Sequence, residues 1–546
     1  MPRRWLRAPW VAVLACTLFL SYGCDRPRAV DRATEAGILL VGSGPEPERL
    51  DPHLTTSVSA FNILFALFEG LVAPHPETLE PVPGAAADWS VSEDGLEYRF
   101  YMQPEARWSD GERLTAYDFA FSWRRLLSPA LAAPYATMLY AVEGAEAFHR
   151  GETDDFGTVA VEVVSAAELR VRLRAPAPYF LQLLMHPATF PLRESVLRAE
   201  GDPLHRDTRW AVPGRLVGNG PFLLGQWRAN QLIETVANPH YWDAETVALN
   251  AIRFFPIADL GAEERAFQAG QLHITEALPP PRVRHYRRNE PEVLRIDPYL
   301  GTYYYLFNHD RPPLDDPRVR RALSLAVDRR AITDGILGAG QIPAKSFTPP
   351  GLAGYEPPSM PPGDLDEARR LLAEAGFPGG EGFPRLELLY NTSESHQRIA
   401  EAVQAMWRRD LGIDIRLRNV EFRVYLDLRA NGDFDIARAA WIGDYLDPHT
   451  FLSLWTTASA NNFSGWSDEA YDALIDRSDR IRDPEVRHAV FAEAESMLFE
   501  RQVICPVYTY VTVYLIRPEV RGWYANLLDW HPYKHVRLEV SAEAAD

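Results

Sequence analysis

Alternating apolar and polar side chains predict several half-buried strands along this chain. SEDGLEYRFYM has a turn at Asp94-Gly95, after which apolar residues alternate with Glu97 and Arg99, and ELRVRLRAP repeats the alternation. The apolar positions are Leu96, Tyr98, Phe100 and Met102 in the first segment and Leu169, Val171 and Leu173 in the second. A two-residue period is that of a strand with one buried face.

Helical segments lie between these strands. Thr115 and Asp118 form a capping-box pattern at the start of LTAYDFAFSWRRLL. Asp316 followed by Pro317 gives DPRVRRALSLAVDRRAI an acidic cap and a proline in its first turn. DEARRLLAEAG and HQRIAEAVQAMWRRDLG are amphipathic and end at glycine. Strands and helices alternate irregularly without a repeat, which predicts a mixed α/β fold in several lobes.

Length and charge narrow the class of protein. With 546 residues the chain is too long for one ordinary domain, and we expect two or three lobes. A hydrophobic share of 47% is enough to build real cores, which excludes wholesale disorder. The 56 Lys and Arg against 75 Asp and Glu give a formal net charge of −19, so no nucleic-acid surface is expected.

The first residues predict export. MPRRWLR supplies a positive segment before a short apolar run, which is typical of a secretory signal and too short for a membrane span. The end of this region resembles a bacterial lipobox, in which Cys24 is lipidated, although Ser21 stands where an aliphatic residue is usual. We therefore expect a signal peptide at 1–23, a lipidated tether at 24–37, and a protein held on the periplasmic side of the cytoplasmic membrane. The alternative is an ordinary signal peptide with an incidental cysteine and a soluble periplasmic protein.

Motifs of catalysis are not found in the sequence. HExxH, GxSxG, a P-loop and paired CxxC are all missing, and the 14 histidines show no zinc-ligand spacing. Cys505, the one thiol expected in the folded part, lies in VICPVYTY, which predicts a small buried hydrophobe in a strand. We expect no cofactor, no metal and no enzymatic activity.

One acid raises a specific question. In FDIARAAWIGDYLDPHTF the apolar run from Ala439 to Gly443 stops at Asp444. An acid at this place is either a cap that starts a loop or a buried charge that needs a positive partner. The residue pattern alone leaves both interpretations open.

Several segments, in order along the chain, resemble the extracytoplasmic solute-binding proteins of peptide ABC importers, the oligopeptide-binding type most of all. They are PERLDPHLTTSVSAFNILFALFEGLV, WSDGERLTAYDFAFSWRRLLSPALAAPYA, NPHYWDAET, YYYLFNHDRPPLDDPRVRRALSLAVDRRAI, LLYNTSESHQRIA and FDIARAAWIGDYLDPHTF. The resemblance implies two lobes joined by a two-segment hinge, with a smaller domain inserted in the first lobe. The implied boundaries are 38–68, 193–300 and 511–546 for lobe I, 69–192 for the inserted domain and 301–510 for lobe II.

The resemblance also implies which residues meet a peptide. Asp444 matches the acid that binds the α-ammonium group, and Ala440, Trp441 and Ile442 match a strand that pairs with the peptide backbone. Val58 matches part of the pairing strand on the opposite lobe.

The remaining matched positions concern the other end of the peptide and its side chains. Arg429, Arg438 and His396 match cationic residues that receive the carboxylate, and Tyr135 matches an aromatic residue of the inserted domain that faces the ligand. Phe422 stands in place of a tryptophan that lines the cleft, and Thr56 in place of an acid. Both departures alter side-chain preference while leaving the terminal anchors.

The expected function is therefore the binding of peptides of about two to five residues by their charged ends and backbone. The implied partners are the peptides and the permease and ATPase subunits of an ABC importer in the cytoplasmic membrane. We expect a monomer that touches the membrane only through its lipid. A binder of a murein peptide or of another solute, and a secreted peptide hydrolase, are the alternatives.

Overall fold

The computed structural model of the protein describes residues 28–206, 208–459 and 461–539. The predicted signal peptide and Cys24 lie outside these residues. Within the described ranges, no helix combines the length and apolar character needed to cross a membrane.

Lobe I is built on a mixed four-stranded sheet. Its strands, in spatial order, are Ile38–Gly42, Ala251–Phe255, Leu232–Ala237 and Phe222–Arg228. The first two strands are parallel, and the other neighbours are antiparallel.

Residues 29–35, predicted as part of a tether, form the helix Ala29–Glu35 instead. Val30 is 0% exposed and packs with Ala33 and Leu40 against the lobe I sheet. The backbone N–H of Val30 donates to the carbonyl of Gly270 at 3.0 Å. The tether prediction is wrong for these residues, because two apolar side chains on one face of a short helix are enough to hold it on a folded surface.

A second sheet lies in the segment between the first and last strands of lobe I. It is antiparallel, in the order Ala86–Val91, Glu97–Met102, Glu168–Arg172 and Val161–Ser165, beside the small hairpin Val72–Pro74 and Pro81–Pro83. The buried side chains of the inserted domain include Trp108 and Trp123, which belong to the same apolar core as Leu39 and Ile252 of lobe I. The inserted domain and lobe I therefore pack as one unit.

Lobe II is built on a six-stranded mixed sheet. Its spatial order is Ile342–Pro343, Ile504–Leu515, Leu294–Phe307, Ile436–Ile442, Glu387–Asn391 and Arg416–Val420. The last three strands are parallel to one another, and the other neighbours are antiparallel. The alternation along the central strand sends Tyr303 and Tyr305 into one apolar core and Tyr304 into another, so helices cover both faces.

Two long strands connect the lobes. Leu294–Phe307 and Ile504–Leu515 pair with each other, and their register shifts between Pro298 and Thr302, where the two lobes were predicted to meet. At the lobe I end of the strand Ile504–Leu515, the N–H of Leu515 donates to the hydroxyl of Thr275 at 2.9 Å. This is the two-lobed fold with an inserted domain that was expected, while the individual boundary numbers remain predictions.

The helices follow the predicted caps. The Asp118 carboxylate accepts the Thr115 N–H at 2.8 Å, Asp316 accepts the Arg318 N–H at 2.8 Å, and Gly412, at φ +72°, ends its helix in the left-handed region. Besides Ala29–Glu35, the α-helices are Val58–Leu67, Ala116–Leu126, Ala145–His149, Phe180–Leu183, Glu194–Ala199, Leu260–Gln268, Pro280–Asn289, Pro317–Leu325, Leu365–Glu374, Glu394–Leu411, Phe422–Ala430, His449–Leu452, Glu469–Asp479 and Pro484–Glu500. Ala331–Leu337 is a π-helix, and a small sheet pairs Val520–Arg521 with Arg537–Leu538.

Candidate functional site

The strand Ile436–Ile442 has one edge that is only partly used. On one side it pairs with the central strand along its whole length, from Ile442 opposite Gly301 to Ile436 opposite Phe307. On its other side only Ile436 and Ala437 have strand partners. From Arg438 onward this edge is free of any other strand in the part of the chain that the structure describes. Unpaired strand edges accept an added strand, so residues 438–442 offer a template for an extended backbone.

The side chains of this strand alternate between core and cleft. Ala437 and Ala439 are buried in the lobe II core, whereas Arg438 and Ala440 are half-buried and Ile442 is exposed. Trp441 is half-buried, and its indole Nε1 has no hydrogen-bond partner among the described residues. The predicted backbone-pairing residues Ala440, Trp441 and Ile442 thus lie on the open part of the edge.

Asp444 lies two residues beyond the end of this strand. Its backbone N–H donates to the Thr450 hydroxyl at 3.3 Å. Its carboxylate has no hydrogen bond or ion pair with any described residue, and burial raises the pKa of this group to about 6. In the same bend it is Asp447 whose carboxylate bonds to the local backbone, accepting the His449 N–H at 2.9 Å. Asp444 is therefore a half-buried charge that has no partner among the described residues, and its carboxylate does not serve as the loop cap.

The space beside Asp444 lies between the inserted domain and lobe II. A cavity of about 280 Å³ is lined by Asp444, Tyr445 and His449 of lobe II and by Tyr179 and other residues of the inserted domain. The Tyr179 ring stacks on Tyr445 and His449, with centroid distances of 5.1 and 4.7 Å. The guanidinium of Arg487 lies 5.6 Å from the Tyr179 ring centroid. These stacked rings join the inserted domain to lobe II.

Tyr135, predicted to face the ligand, lies near Asp444. Burial, and then the charge of Asp444, raise the pKa of the Tyr135 phenol to about 12. The Tyr135 ring contacts His186 at 4.6 Å and Phe61 at 5.8 Å between centroids. Phe61 belongs to the helix Val58–Leu67, so this contact joins the Val58 helix to the same side of the cleft.

The prediction that Val58 belongs to a strand is wrong. Val58 is the first residue of the helix Val58–Leu67, whose cap Ser57 accepts the Ala60 N–H at 3.3 Å. The serine cap and the apolar run that follows favour a helix. The extended backbone ends at Ser57, directly before Val58. Val58 itself is 51% exposed.

Arg438 is held in place by neutral groups. Its guanidinium donates to the Asn391 side-chain oxygen at 3.3 Å and to the Tyr510 hydroxyl at 3.2 Å. It lies 5.0 Å from the Tyr303 ring centroid. Its buried Nε has no hydrogen-bond partner, and no carboxylate of the described residues lies within 4.0 Å. Burial alone would lower the Arg438 pKa, but the surrounding tyrosine hydroxyls raise it overall, so the group stays charged.

Arg429 has the same kind of environment. It donates to the Tyr425 hydroxyl at 3.3 Å and lies 4.7 Å from the Phe463 ring centroid. Its buried Nε is also unpartnered, and its guanidinium forms no ion pair within the described chain. Phe422, which is 52% exposed, stacks on Tyr425 at 6.1 Å. The two arginines are thus supported by aromatic rings and left without an anion.

His396 joins this cluster but is not a cation in the absence of a ligand. Its ring lies 5.6 Å from the Tyr303 ring, and its Nδ1 is buried without a partner in the described structure. Burial, and then the charge of Arg438, lower the His396 pKa to about 3. The expectation of three cationic groups is therefore corrected to two, with a neutral imidazole beside them.

The two ends of the site are set apart by the strand. Arg438 and Asp444 are six positions apart, or about 20 Å at ~3.3 Å per strand residue. The arrangement places an unpaired anion at one end, unpaired cations at the other, and an open strand edge between them. Sequence reasoning missed the tyrosines that position Arg438 and Arg429, although the run Tyr303 to Tyr305 was a visible signal.

Comparison with known proteins identifies the family of this chain. A model of the bacterial extracellular solute-binding proteins, family 5, matches residues 80–463. The chain therefore belongs to this family, as the sequence resemblance implied.

Individual relatives follow. The chain is 36% identical over 525 residues to the periplasmic murein peptide-binding protein MppA of Escherichia coli, covering 94% of this chain and 95% of that protein. It is 35% identical over 511 residues to the periplasmic oligopeptide-binding protein OppA of Salmonella typhimurium, covering 91% and 92%. The unliganded open form of MppA superposes with a TM-score of 0.79 at 35% identity, covering 92% and 98%. The Haemophilus influenzae OppA complex with RPPGFSPFR gives a TM-score of 0.77 at 32% identity, covering 92% and 99%.

Proposed function

We propose that this chain binds short peptides in the cleft between its lobes and delivers them to an ABC permease with its ATPase subunits. The observation that carries this proposal is the half-buried Asp444, unpartnered among the described residues, at one end of an open strand edge whose other end holds the unpaired Arg438. A free peptide is a zwitterion with a regular backbone, so these three features match its three invariant parts.

Asp444 is proposed to bind the α-ammonium group. Burial raises the pKa of this carboxylate because its charge has lost part of its hydration. A cation that binds beside it compensates for that loss. Tyr135 lies beside it and encloses the same end of the peptide. The backbone of Ala440, Trp441 and Ile442 would pair with the peptide as an added strand, and Val58 would approach it from the lobe I side.

Arg438 and Arg429 are proposed to bind the α-carboxylate. Arginine presents a planar pair of donors that suits a carboxylate, and both side chains have an unused buried Nε. His396 lies next to Arg438 and accepts a proton more readily once an anion is present. Phe422 supplies an exposed ring for ligand side chains. The span of about 20 Å, shortened by the reach of the arginine side chains, suits peptides of about two to five residues.

The relatives support peptide binding without naming the preferred peptide. One is a murein peptide-binding protein and another an oligopeptide-binding protein, at nearly equal identity. A relative has been solved with RPPGFSPFR, so longer ligands are bound within the family. A murein peptide is thus the second candidate, and peptide length is an outcome that binding measurements decide.

A peptide hydrolase is the competing class. Among the described residues, no group of three or more His, Cys, Asp or Glu side chains is arranged to hold a metal ion. Cys505 is a buried free thiol in a strand, as expected. The experiment is to incubate purified protein with a mixture of di- to pentapeptides, remove unbound material, and identify both fractions by mass spectrometry. Intact bound peptides are expected; shortened peptides in solution, or no bound peptide, would overturn the proposal.

The cellular setting is part of the proposal. Cys24 is proposed to carry lipid and to hold a monomer on the periplasmic side of the cytoplasmic membrane, beside its permease. Asp25, directly after it, resembles the signal that keeps lipoproteins at that membrane. A Cys24→Ala protein is expected in the soluble periplasmic fraction, and continued membrane association would contradict the lipid anchor.

A further inference from the structure

A second, smaller cavity lies in lobe I, next to the hinge. Its volume is about 30 Å³, the space of one or two water molecules or of one ammonium group. The polar side chains that line it include Ser43, Asn62, Glu276, Asp529 and His531. Asn62 lies on the helix Val58–Leu67, and the others come from three distant parts of the chain.

Two carboxylates meet at this cavity. The Glu276 carboxylate has no hydrogen bond or ion pair with any described residue, and Asp529 bonds only to the His531 Nε2, at 3.0 Å. Glu263, which is buried, holds the loop in position by accepting the Glu276 N–H at 2.9 Å. A Cβ atom at Gly42 would lie 1.9 Å from the Glu263 Oε1, so glycine is needed there. The hydrogen bond to Glu263 and the close packing at Gly42 therefore fix the backbone that carries Glu276.

Unused polar atoms line the same space. The Ser43 hydroxyl, on a residue that is 2% exposed, has no hydrogen-bond partner among the described residues. His531 is 9% exposed, and its Nδ1 is likewise unpartnered. The His531 ring is fixed by stacking on Trp523 at 3.8 Å. Buried polar atoms are normally satisfied, so these two atoms, in a cavity that two carboxylates also line, are available to a polar group that enters it.

Backbone bonds connect this cavity to the Asp444 site. The N–H of Leu300 donates to the carbonyl of Leu527, in the loop that carries Asp529, at 2.7 Å. The carbonyl of Leu300 accepts the N–H of Gly443, the neighbour of Asp444, at 2.8 Å. One residue of the central strand thus bridges the two acidic sites. The adjacent Tyr299 has its pKa raised by burial and then by the charges of Asp529, Glu276 and Asp444, so all three acids surround one phenol.

We propose that Glu276 and Asp529, with Ser43, form a subsite for the side-chain ammonium group of a basic residue near the amino end of the bound peptide. This inference rests on the proposed peptide-binding function and adds a side-chain preference to it. A primary ammonium fits the small volume and can donate three hydrogen bonds to the two carboxylates and the serine hydroxyl.

The test compares tripeptides that differ by one group. Isothermal titration calorimetry is performed with Lys-Ala-Ala, Ala-Lys-Ala and their norleucine counterparts, in which a hydrogen atom replaces the ammonium group. We expect lysine to bind at least about tenfold tighter than norleucine at one of the two positions. Equal affinity of lysine and norleucine at both positions would overturn the subsite.

Variants assign any preference to the acids. Glu276→Gln and Asp529→Asn should each reduce the lysine advantage to within about twofold, while norleucine peptides keep their wild-type affinity. Asparagine tolerates the positive φ of 56° at position 529. Glu105→Gln, at an exposed acid of the inserted domain, is the matched control and should retain the full lysine advantage. A lysine advantage that survives both subsite variants would contradict the assignment.

A measurement on the wild-type protein avoids any folding defect of the variants. Burial, and then Asp529 and Glu263, raise the Glu276 pKa to about 8, so this carboxyl is largely protonated at pH 7 in the empty cavity. The other titratable groups near it are His531, Tyr299, Tyr514 and Tyr533. Calorimetry in two buffers of different ionisation enthalpy should show that the favoured lysine peptide releases close to one proton more than its norleucine counterpart. Equal proton release would count against the subsite.

The same titrations separate this inference from the proposed function. Binding of the norleucine peptides without any lysine advantage refutes the subsite alone. If none of the four peptides binds, the proposed peptide-binding function fails, and the subsite fails with it.

Discussion

Asp444 and Asp447 lie three positions apart in one bend, and their environments are opposite. Asp447 is buried and accepts hydrogen bonds from the Arg487 guanidinium, one of them at 2.9 Å, and from the His449 N–H at 2.9 Å. Asp444 is half-buried, and its carboxylate meets no cation within the described chain. The first acid has its partner in the fold, whereas the second has none among the described residues.

The arginines repeat this contrast. Arg487 and Arg125 are buried in ion pairs with Asp447 and Asp51. Arg438 and Arg429 are half-buried and rest on tyrosine and phenylalanine rings, with no anion among the described residues. These two ion pairs stabilise the folded chain, whereas Arg438 on the strand Ile436–Ile442 and Arg429 on the helix Phe422–Ala430 are left without an anion. A desolvated charge without a partner costs stability, which agrees with the binding role proposed for these arginines.

The largest expected effect concerns folding stability. Asp447→Asn leaves Arg487 buried without its anion and should lower the free energy of unfolding by about 3–5 kcal/mol. Asp444→Asn removes a charge whose folded-state pKa lies above its value in the unfolded chain, so the variant should be unchanged or about 1 kcal/mol more stable at pH 7. Urea unfolding of ligand-free proteins measures both changes. A large loss of stability in Asp444→Asn would show that Asp444 has a structural partner after all.

The next effect concerns the amino end of the ligand. N-acetylation of a good peptide removes its charge and should weaken binding by about two to three orders of magnitude. Asp444→Asn should cause a comparable loss for the free peptide and a much smaller loss for the acetylated one, because both changes remove the same interaction. Calorimetry on the four combinations measures this. Equal binding of free and acetylated peptides by the wild-type protein would remove Asp444 from the site.

A smaller effect is expected at the carboxyl end. Arg438→Met keeps an unbranched apolar stem and removes the guanidinium charge, and should weaken binding of a free tripeptide by about 10- to 100-fold. The C-terminally amidated tripeptide should be affected far less. Arg369→Met, on an exposed helix position, is the matched control and should bind like the wild type. If amide and acid lose the same affinity, Arg438 supports the site without touching the carboxylate.

The smallest effect is a dependence on pH. In the ligand-free protein the Asp444 pKa is raised by burial to about 6, so the carboxylate is mostly ionised at pH 7 and about one-tenth ionised at pH 5. Because an ammonium group needs the ionised form, affinity for a peptide without basic side chains should fall about tenfold between pH 7 and pH 5. The acetylated peptide and Asp444→Asn should show little of this change. A flat profile for the wild-type protein would mean that Asp444 is already neutral or already paired.

Local patterns predicted much of the fold. The Thr115 and Asp316 caps, the Asp94-Gly95 turn and the strand alternation depend on residues a few positions apart, and the structure confirms them. The helix Ala29–Glu35 was missed because its packing partners, Gly270 and Leu40, are not visible in its own sequence. At Val58 a family resemblance outweighed the local signal, and the serine cap was the better guide.

The sequence singles out the candidate site residues but does not reveal their electrostatic environments. The string around Asp444 was enough to single out that residue, but its lack of a partner depends on groups from other lobes. The neutral state of His396 follows from burial beside Arg438, which no spacing in the sequence reveals. Glu276 and Asp529 are 253 positions apart, and only the folded chain places them in one cavity.

The register shift between Pro298 and Thr302 also has a mechanical consequence. If the lobes rotate about this stretch, points close to the pivot move little and points far from it sweep a long arc. Asp444 lies near the pivot through the bond between Gly443 and Leu300, whereas Arg438 pairs with Tyr305, further along the lever. Because both residues belong to lobe II, a peptide paired with this strand would move with lobe II, and its carboxyl end would travel further from lobe I than its amino end.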